Sequence, residues 1–327
     1  MNVLLVTGGA GFIGSNFIKF FLETYKDFIL INIDKLTYAG NLNNLKEVGE
    51  HPGYYFVKGD ICDKELVNRV LNEYNPQYIV NFAAESHVDN SIIGPWIFGE
   101  TNMMGTLNLL ECTRKFWSGN SSDNKRFLQI STDEVYGSID NFKDYFSEDS
   151  SLLPNSPYSA SKAGADLMVR AFSKTFGFPA IVTRCCNNYG PYQNKEKFIP
   201  TCITKAIKDE PIPIYGDGSN TREWIHVIDH SSAIIKALFD GTPGEIYNIG
   251  SGEEISNIDM ARFILRSLGK SEEAVIRISD RPGHDKRYAL DSTKIKNELK
   301  WSCNYCLNEG ILETIKWYTD DQSWWDN

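Results

Sequence analysis

Short apolar runs alternate with amphipathic segments along the first part of the chain. The runs are typical of buried β-strands and lie at residues 2–7, 28–33, 54–58, 78–82, 126–130 and 180–183. Apolar residues at helical spacing predict helices at residues 15–24, 95–116 and 158–176. Strands that alternate with helices predict an α/β fold with a doubly wound parallel sheet, in which ligands bind at the carboxyl ends of the strands.

The pattern changes after residue 183, where glycine, proline and asparagine become frequent. Loops are expected at 187–192 and 211–218, and further strands at 221–227 and 245–249. We therefore expect residues 1–186 to form the sheet domain, with 229–250 returning to it. Residues 187–327 are expected to form mainly a smaller, interleaved C-terminal lobe that closes over a ligand.

A glycine motif joins the first strand to the first helix. Gly9, Gly11 and Gly14 fit G-x-G-x-x-G, in which the backbone approaches a pyrophosphate at the helix N-terminus. Asp34 follows 20 residues after Gly14, at the end of the second strand. A carboxylate there bonds both hydroxyls of an adenosine ribose and repels a 2′-phosphate, so the motif predicts NAD rather than NADP. A simple turn aspartate is the alternative interpretation.

Tyr158 and Lys162 are four residues apart on a predicted helix and therefore share one face. A phenol titrates near pH ~10, so a tyrosine base at neutral pH needs its pKa lowered by several units. The Lys162 ammonium and an oxidised nicotinamide are the cations expected to lower it. The alternative interpretation is an ordinary pair on the helix surface.

Two adjacent carboxylates, Asp133 and Glu134, follow Thr132 at the end of the fifth predicted strand. Like charges disfavour joint ionisation, so one carboxyl can act as an acid while its neighbour acts as a base. Successive side chains of a strand point to opposite faces. We therefore predict that the strand ends near Ser131 and that residues 132–134 lie in a turn.

Composition excludes several classes of protein. The net charge is −10 and the pI is about 5.1, which argues against binding to nucleic acid or to an anionic membrane. No apolar stretch is long enough to span a bilayer and the N-terminus does not resemble a signal peptide, so a cytoplasmic location is expected. The seven cysteines are scattered, and no metal site is expected.

Taken together, these motifs resemble the extended short-chain dehydrogenase/reductases that act on nucleotide sugars. The glycine motif at 7–14 and the Tyr158/Lys162 pair match the superfamily, and residues 131–137 are similar to the dTDP-glucose 4,6-dehydratases. Sugar 4-epimerases of the superfamily lack the acidic pair. The resemblance extends over nearly the whole chain and implies that the C-terminal lobe binds a nucleotide sugar.

The resemblance also implies a reaction and a set of site residues. dTDP-glucose would be converted to dTDP-4-keto-6-deoxyglucose by oxidation at C4, loss of water across C5 and C6, and return of the hydride to C6. Tyr158 would take the 4-hydroxyl proton, with Lys162 tuning it and Thr132 bonding the 4-oxygen. Asp133 would protonate the departing 6-oxygen and Glu134 would remove the C5 proton.

Further residues are implied to bind the two ligands. The NAD contacts would be Gly8, Gly11, Phe12, Ile13, Gly14, Asp34, Lys35, Leu36, Thr37, Asp60, Ile61, Ala83, Ala84, Thr101, Tyr158, Lys162 and Asn188. The nucleotide-sugar contacts would be Ser86, His87, Thr132, Asn187, Lys197, Phe198, Pro213, Tyr215, Arg222, Asn257, Arg281 and His284. The family also implies a homodimer that pairs through two long helices, here at 102–116 and 159–176.

Three alternatives remain open from the sequence. A dehydratase for a UDP, GDP or CDP sugar would carry the same motifs, and a 4-epimerase is disfavoured only by the acidic pair. A non-catalytic dinucleotide sensor could use the same fold, since fold does not fix function. Such a sensor has no need for Tyr158, Lys162 and the two carboxylates together.

Overall fold

The computed structural model describes residues 2–118, 124–141, 143–280 and 282–326. Within these residues the strands are β1 (Asn2–Thr7), β2 (Phe28–Asp34), β3 (Tyr54–Lys58), β4 (Tyr78–Asn81), β5 (Arg126–Thr132), β6 (Ala180–Cys185), β7 (Asn187–Tyr189), β8 (Ile212–Tyr215), β9 (Thr221–His226), β10 (Ile246–Ile249), β11 (Glu254–Ser256) and β12 (Val275–Ile278). The α-helices are α1 (Phe12–Thr24), α2 (Lys64–Tyr74), α3 (Val88–Ile93), α4 (Pro95–Phe98), α5 (Thr106–Ser118), α6 (Pro157–Phe176), α7 (Phe198–Ile207), α8 (Val227–Asp240), α9 (Asn257–Ser267), α10 (Thr293–Leu299), α11 (Leu307–Asp320) and α12 (Gln322–Trp325). Short 3₁₀ segments lie at Leu42–Val48, Asp133–Tyr136 and Glu272–Ala274, and a π-helical segment at Gly99–Gly105.

The central sheet has seven parallel strands in the order β3-β2-β1-β4-β5-β6-β10. The chain moves outward from β1 in one direction and returns to β4 on the other side, so the strand order reverses between β1 and β4. Ligands of such sheets bind beyond the carboxyl ends of the strands at this switch point. The predicted doubly wound α/β fold is confirmed.

Side chains of alternate sheet residues enter two separate apolar layers. In β1, Leu4 and Val6 pack with α1, α8 and α10, whereas Val3 and Leu5 pack with α2, α5 and α6. Each fully buried Leu or Val contributes about 1.5–3 kcal/mol relative to exposure, so both layers of helices are held firmly to the sheet. This packing leaves the carboxyl ends of the strands as the edge on which a site can form.

The second part of the chain has its own apolar cluster. Helices α7, α9 and α11 pack there against β8 and β9. Strands β11, β9 and β7 form a small sheet and β12 pairs with β8. Between these elements α8 packs on α1 and β10 joins the central sheet, so the lobe is interleaved with the sheet domain. The boundaries at 1–186 and 187–327 stay a prediction.

The long helical pattern predicted at residues 95–116 is confirmed, but the helix is not of one type: the π-helical segment Gly99–Gly105 lies between α4 and α5 without a break in the helix. Buried Asn102 lies in that segment, and its amide bonds both the N–H and the carbonyl of Glu85 and the hydroxyl of Ser161. These bonds draw the segment toward the end of β4, and π-bulges of this kind are frequent at functional sites.

The segments 187–192 and 211–218, predicted as loops, contain the short strands β7 and β8. In β8, Ile212 and Ile214 are buried while Pro213 between them is not, which is a strand alternation. The proline obscured this pattern in the sequence, but it is accepted because the β8–β12 ladder has only two strands.

Candidate active site

The acidic pair lies in a turn, as predicted, although β5 extends one residue further than expected. Thr132 is the last residue of β5, and its hydroxyl accepts a hydrogen bond from the Glu134 N–H at 3.3 Å. A 3₁₀ segment begins at Asp133. The charges of Glu134 and Asp133 both raise the pKa of the Tyr158 phenol, and the nearby Thr132 hydroxyl lowers it. The turn therefore places both carboxylates where their charges act on the same phenol.

Asp133 is held where a protonated carboxyl is favoured. It is 2% exposed, and its Oδ1 accepts a hydrogen bond from the Thr132 hydroxyl at 3.1 Å. Its Oδ2 has no partner among the residues that the structure describes. Burial, followed by the charge of Glu134, raises the pKa of Asp133 well above its ordinary value. A buried neutral carboxyl can donate a proton, which suits the predicted acid role; that role stays a prediction.

Tyr158 and Lys162 both lie on the buried face of α6, as their spacing predicted. Burial, then the two carboxylates, raises the pKa of Tyr158 well above 10. The Lys162 ammonium donates to the carbonyl of Ile130 at 2.5 Å, and burial lowers its pKa to about 8. The protein alone therefore favours a neutral phenol, and the tuning of Tyr158 by cations stays a prediction.

A buried ion pair beside this turn is a feature that sequence reasoning missed. Arg184 of β6 donates to Asp166 of α6 at 2.9 Å, and their side chains are 4% and 1% exposed. Arg184 also donates to the Tyr136 hydroxyl at 2.9 Å, and that hydroxyl donates to Asn248 of β10 at 2.8 Å. The network joins α6, β6, β10 and the 3₁₀ turn. A charged residue inside an otherwise apolar strand is the signal that would have located it.

The glycine motif forms a tight turn between β1 and α1. Gly8 has φ +70°, and a Cβ there would lie 2.6 Å from the Ala83 nitrogen. A Cβ at Gly14 would lie 2.5 Å from the Gly8 carbonyl oxygen. Gly11 is the N-cap of α1, whose first turn has neither a side-chain cap nor an acidic residue. The first N–H groups of α1 therefore have no side-chain cap and are suited to bind an anion.

Asp34 ends β2 beside this turn. One of its oxygens accepts the N–H of Ala10 at 2.8 Å, and the other accepts the N–H of Leu36 at 2.7 Å. Its side chain is fixed and can still accept from ribose hydroxyls, since each carboxylate oxygen has two acceptor sites. Close by, Lys35 forms an ion pair with Asp60 at 2.6 Å. These contacts suit the adenosine half of a dinucleotide.

The remaining predicted NAD contacts follow the ends of the sheet strands and the adjoining segments. These residues are Phe12, Ile13, Thr37, Ile61, Ala83, Ala84, Thr101 and Asn188. Thr101 lies in the π-helical segment, and Asn188 lies in β7. The Asn188 amide donates to the Cys186 carbonyl at 3.0 Å, and its oxygen bonds the His230 ring at 2.8 Å.

The predicted nucleotide-sugar contacts come from three parts of the chain. The first part, Ser86 and His87, follows β4. The carbonyl of Ser86 accepts a hydrogen bond from Lys197 at 2.9 Å, and the His87 side chain caps α3 by accepting the N–H of Asn90. Phe198 of α7 stacks on Trp224, with ring centroids 6.2 Å apart. Asn187 lies in β7, with its side-chain oxygen buried.

The other two parts lie on the C-terminal lobe. Tyr215 follows Pro213 in β8, and its ring meets the edge of the His284 ring at 5.9 Å. His284 bonds the Asp280 carboxylate at 2.6 Å. Arg222, on β9, donates to the Asp285 carbonyl at 2.9 Å, and Asn257 begins α9 near the same strand. Arg281 lies outside the described residues.

Sequence reasoning missed two tyrosines that lie among these groups. Tyr288 lies under the Arg222 guanidinium, 4.4 Å from ring centroid to Cζ, and the charge of Glu134 helps to raise the pKa of its phenol. Tyr38 lies near Ser86, and its phenol helps to raise the pKa of Tyr158. Both come from segments without a motif, so only the folded chain reveals them.

Among the residues that the structure describes, no group of three or more His, Cys, Asp or Glu side chains could hold a metal ion. No described helix is both long and apolar enough to cross a membrane.

The sheet order, the glycine turn and the buried Tyr158/Lys162 pair place the protein in the short-chain dehydrogenase/reductase class. Within it, the chain belongs to the family described as GDP-mannose 4,6 dehydratase, which matches residues 5–314. The dTDP-glucose 4,6-dehydratase of Xanthomonas campestris pv. campestris (strain B100) is 48% identical over 337 residues, which cover 99% of this chain and 95% of the relative.

Solved structures agree with this assignment. The dTDP-glucose 4,6-dehydratase of Bacillus anthracis str. Ames, in complex with NAD, superposes with a TM-score of 0.92 at 46% identity, covering 100% of this chain and 99% of the other. The UDP-glucose 4-epimerase of Thermotoga maritima reaches a TM-score of 0.88 at 28% identity, covering 98% and 99%. The fold is thus shared with epimerases, whereas the sequence is much nearer to the dehydratases.

Proposed function

We propose that the protein converts dTDP-glucose to dTDP-4-keto-6-deoxyglucose and uses NAD that stays bound through the cycle. The observation that carries the proposal is the buried acid Asp133 next to Glu134 and Tyr158. It is found in a chain that is 48% identical to a dTDP-glucose 4,6-dehydratase over nearly its whole length. A sugar 4-epimerase needs a base and a cofactor but has no use for a protonated carboxyl at C6.

The residues of the glycine turn fit NAD. The α1 N-terminus is open to a pyrophosphate, and Asp34 is fixed at the end of β2, where it would bond a ribose. A 2′-phosphate would place negative charge against this carboxylate, which favours NAD over NADP. NAD held by this turn and by Asp34 would supply the hydride acceptor for C4 and the hydride donor for C6, so the net reaction would be redox-neutral.

Tyr158 is the base that we assign to the 4-hydroxyl. The Thr132 hydroxyl acts on the pKa of its phenol from nearby, so the two residues are placed to hold the same substrate oxygen. Because the protein raises the pKa of Tyr158, proton removal depends on added positive charge nearby. Lys162, which is buried on the same face of α6, supplies part of that charge.

Glu134 and Asp133 then remove water from C5 and C6. Once C4 is a ketone, the C5 proton is α to a carbonyl and a carboxylate can remove it. Glu134 is assigned this proton, and Asp133 gives its own proton to the C6 oxygen as the C–O bond breaks. Glu134 then returns its proton to C5 when C6 receives the hydride, which completes the 4-keto-6-deoxy product. The raised pKa of Asp133 favours the protonated carboxyl that this step requires.

The nucleotide diphosphate is assigned to the basic residues of the C-terminal lobe and of β9. Arg222, Lys197 and Arg281 would supply local positive charge for the diphosphate in a chain whose net charge is −10. Phe198 and Tyr215 supply aromatic surface for the base. The preference for thymine rests on the relatives named above.

The decisive experiment incubates the purified protein with dTDP-glucose and no added cofactor. Mass spectrometry and NMR should show a 4-keto-6-deoxy product, and denatured enzyme should release NAD. UDP-, GDP- and CDP-glucose serve as matched substrates, and turnover of one of these in preference would replace the proposed nucleotide. dTDP-galactose as the product would identify an epimerase, and stoichiometric consumption of added NAD would identify a net oxidoreductase.

We also propose a homodimer that pairs through the two long helices. Leu167 and Phe176 of α6 and Met104 of the π-helical segment are each more than half exposed, which suits an interface. Light scattering should give twice the chain mass of 37.1 kDa.

A cytoplasmic location is supported by the seven cysteines, all of which are unpaired. Fractionation of the source cells would test it.

A further inference from the structure

The carbonyl of Ala10 in the glycine turn is held from outside the turn. Ala10 is fully buried, and its N–H donates to Asp34 at 2.8 Å. Its carbonyl accepts two hydrogen bonds of 3.0 Å, from the Asn41 N–H and from the side-chain amide of Asn44. Both peptide groups of Ala10 are thus fixed, and with them the orientation of the next N–H groups at the start of α1.

Asn44 is in turn held by the C-terminal end of the chain. It is 2% exposed in the 3₁₀ segment Leu42–Val48, and its side-chain oxygen accepts the indole N–H of Trp324 at 3.0 Å. An indole nitrogen can only donate and a carbonyl can only accept. Trp324 therefore fixes which end of the amide faces Ala10, because its own N–H occupies the amide oxygen and turns the NH₂ group toward the turn.

Aromatic packing keeps Trp324 in place. Its ring meets Trp317 at 5.2 Å and Tyr192 at 5.8 Å between centroids, both close to edge-on. The Tyr192 hydroxyl donates to Glu47 at 2.8 Å, and the Lys19 ammonium lies 3.4 Å from the centre of its ring. The cluster thus reaches both the 3₁₀ segment and α1, the two elements that flank the pyrophosphate turn.

We propose that Trp324 is a positioning residue for the cofactor: through Asn44 it holds the Ala10 carbonyl and keeps the glycine turn shaped for a dinucleotide pyrophosphate. The proposal rests on the proposed function, since it presumes that NAD binds at this turn. Trp324 and Asn44 are 280 residues apart in the chain. In this proposal the last helix of the C-terminal lobe therefore helps the sheet domain to retain its ligand.

The chain supplies a matched control in the next residue. The Trp325 indole N–H donates at 2.8 Å to the carbonyl of Tyr318, within the C-terminal lobe. Trp324→Phe and Trp325→Phe therefore remove the same ring nitrogen from adjacent residues, but only the first loses a contact with Asn44. Trp325 is the more buried of the two, so its substitution should lower the melting temperature at least as much.

The test first removes the bound NAD from the full-length protein, and then measures the NAD dissociation constant by calorimetry together with the melting temperature. Trp324→Phe should weaken NAD binding about three- to tenfold, the loss expected for one hydrogen bond, while Trp325→Phe should leave it within about twofold. Asn44→Asp places an acceptor against the Ala10 carbonyl and should weaken NAD binding by at least as much as Trp324→Phe. Trp324→Phe added to Asn44→Asp should then change little more.

Three results would overturn the proposal. If the wild type binds NAD and neither Trp324→Phe nor Asn44→Asp changes the NAD affinity, the positioning role of Trp324 is wrong. The proposed function would still stand. Equal weakening by Trp324→Phe and Trp325→Phe would show a general loosening of the lobe instead. A wild type that binds no NAD would contradict the proposed function itself, and the positioning role of Trp324 along with it.

Discussion

The protein has two neighbouring sites that are built in different ways. At the end of β5, buried side chains carry the chemistry: Asp133 is 2% exposed, Tyr158 is 9% exposed, and the charges there are close together. At the glycine turn, the site consists of backbone N–H groups, and the glycines lack side chains that would block a ligand. We infer that the first site is sensitive to changes of charge, whereas the second is sensitive to added atoms.

The largest expected effect concerns the buried ion pair behind the first site. Arg184→Met leaves Asp166 buried without its cation and should lower the free energy of unfolding by about 3–5 kcal/mol. Lys35→Met is the matched control at the cofactor edge. Its pair with Asp60 is 50% and 27% exposed, and its loss should cost about 1 kcal/mol or less. Urea unfolding measures both, and equal costs would contradict the contrast.

A double variant sharpens this result. Replacing both partners with apolar residues, as in Arg184→Met with Asp166→Leu, should recover much of the lost stability, since no uncompensated charge remains. If the double variant were as unstable as the single one, the hydrogen bond from Arg184 to Tyr136 would be the important contact instead.

The next effect concerns catalysis. Glu134→Gln should leave NAD bound and cut dehydration at least about a hundredfold, because the amide cannot remove the C5 proton. Single-turnover assays of NADH formation and of product separate the oxidation from the elimination. Glu65→Gln, an exposed change of the same kind in α2, should leave both rates unchanged. Full activity in Glu134→Gln would remove Glu134 from the mechanism.

The sequence predicted the two sites to different extents. The glycine turn and the strand order follow from local signals, because a tight turn needs glycine and a strand needs an apolar run. The turn at Asp133 also followed from geometry, since two adjacent carboxylates in a strand cannot face one ligand. The sequence did not predict the Arg184 network, Tyr38 or Tyr288, because each depends on partners far away in the chain. Burial also reversed the expected direction for the pKa of Tyr158 in the protein alone.

The glycine turn offers a contrast within itself. Gly8→Ala forces a side chain onto φ +70° and against the Ala83 nitrogen, and should cost about 1–3 kcal/mol of stability along with NAD binding. Gly11→Ala meets only the Gly8 carbonyl, at 3.4 Å, and its φ is −75°. It should therefore fold with normal stability and still bind NAD less tightly, since the new methyl group lies where the pyrophosphate approaches. Normal NAD affinity in Gly11→Ala would move the pyrophosphate away from this residue.

The smallest effect is a gain in stability at the catalytic turn. Because burial raises the pKa of Asp133, the folded protein keeps this proton at pH values where the unfolded chain, with an ordinary pKa near 3.8, has lost it. Stability then falls as the pH rises above that value, since the folded state binds more protons than the unfolded state. Asp133→Asn carries no such penalty.

Asp133→Asn should therefore match the wild type near pH 4 and exceed it at pH 7 by about 0.5–2 kcal/mol, as measured by thermal unfolding across pH. Asp149→Asn makes the same change at an exposed site and should stay within about 0.5 kcal/mol at every pH. If Asp133→Asn were instead less stable at pH 7, Asp133 would be ionised and compensated in the folded protein. Another buried group would then have to be the acid at C6. Glu223 is a candidate, because it is also a carboxyl group and burial raises its pKa to about 7.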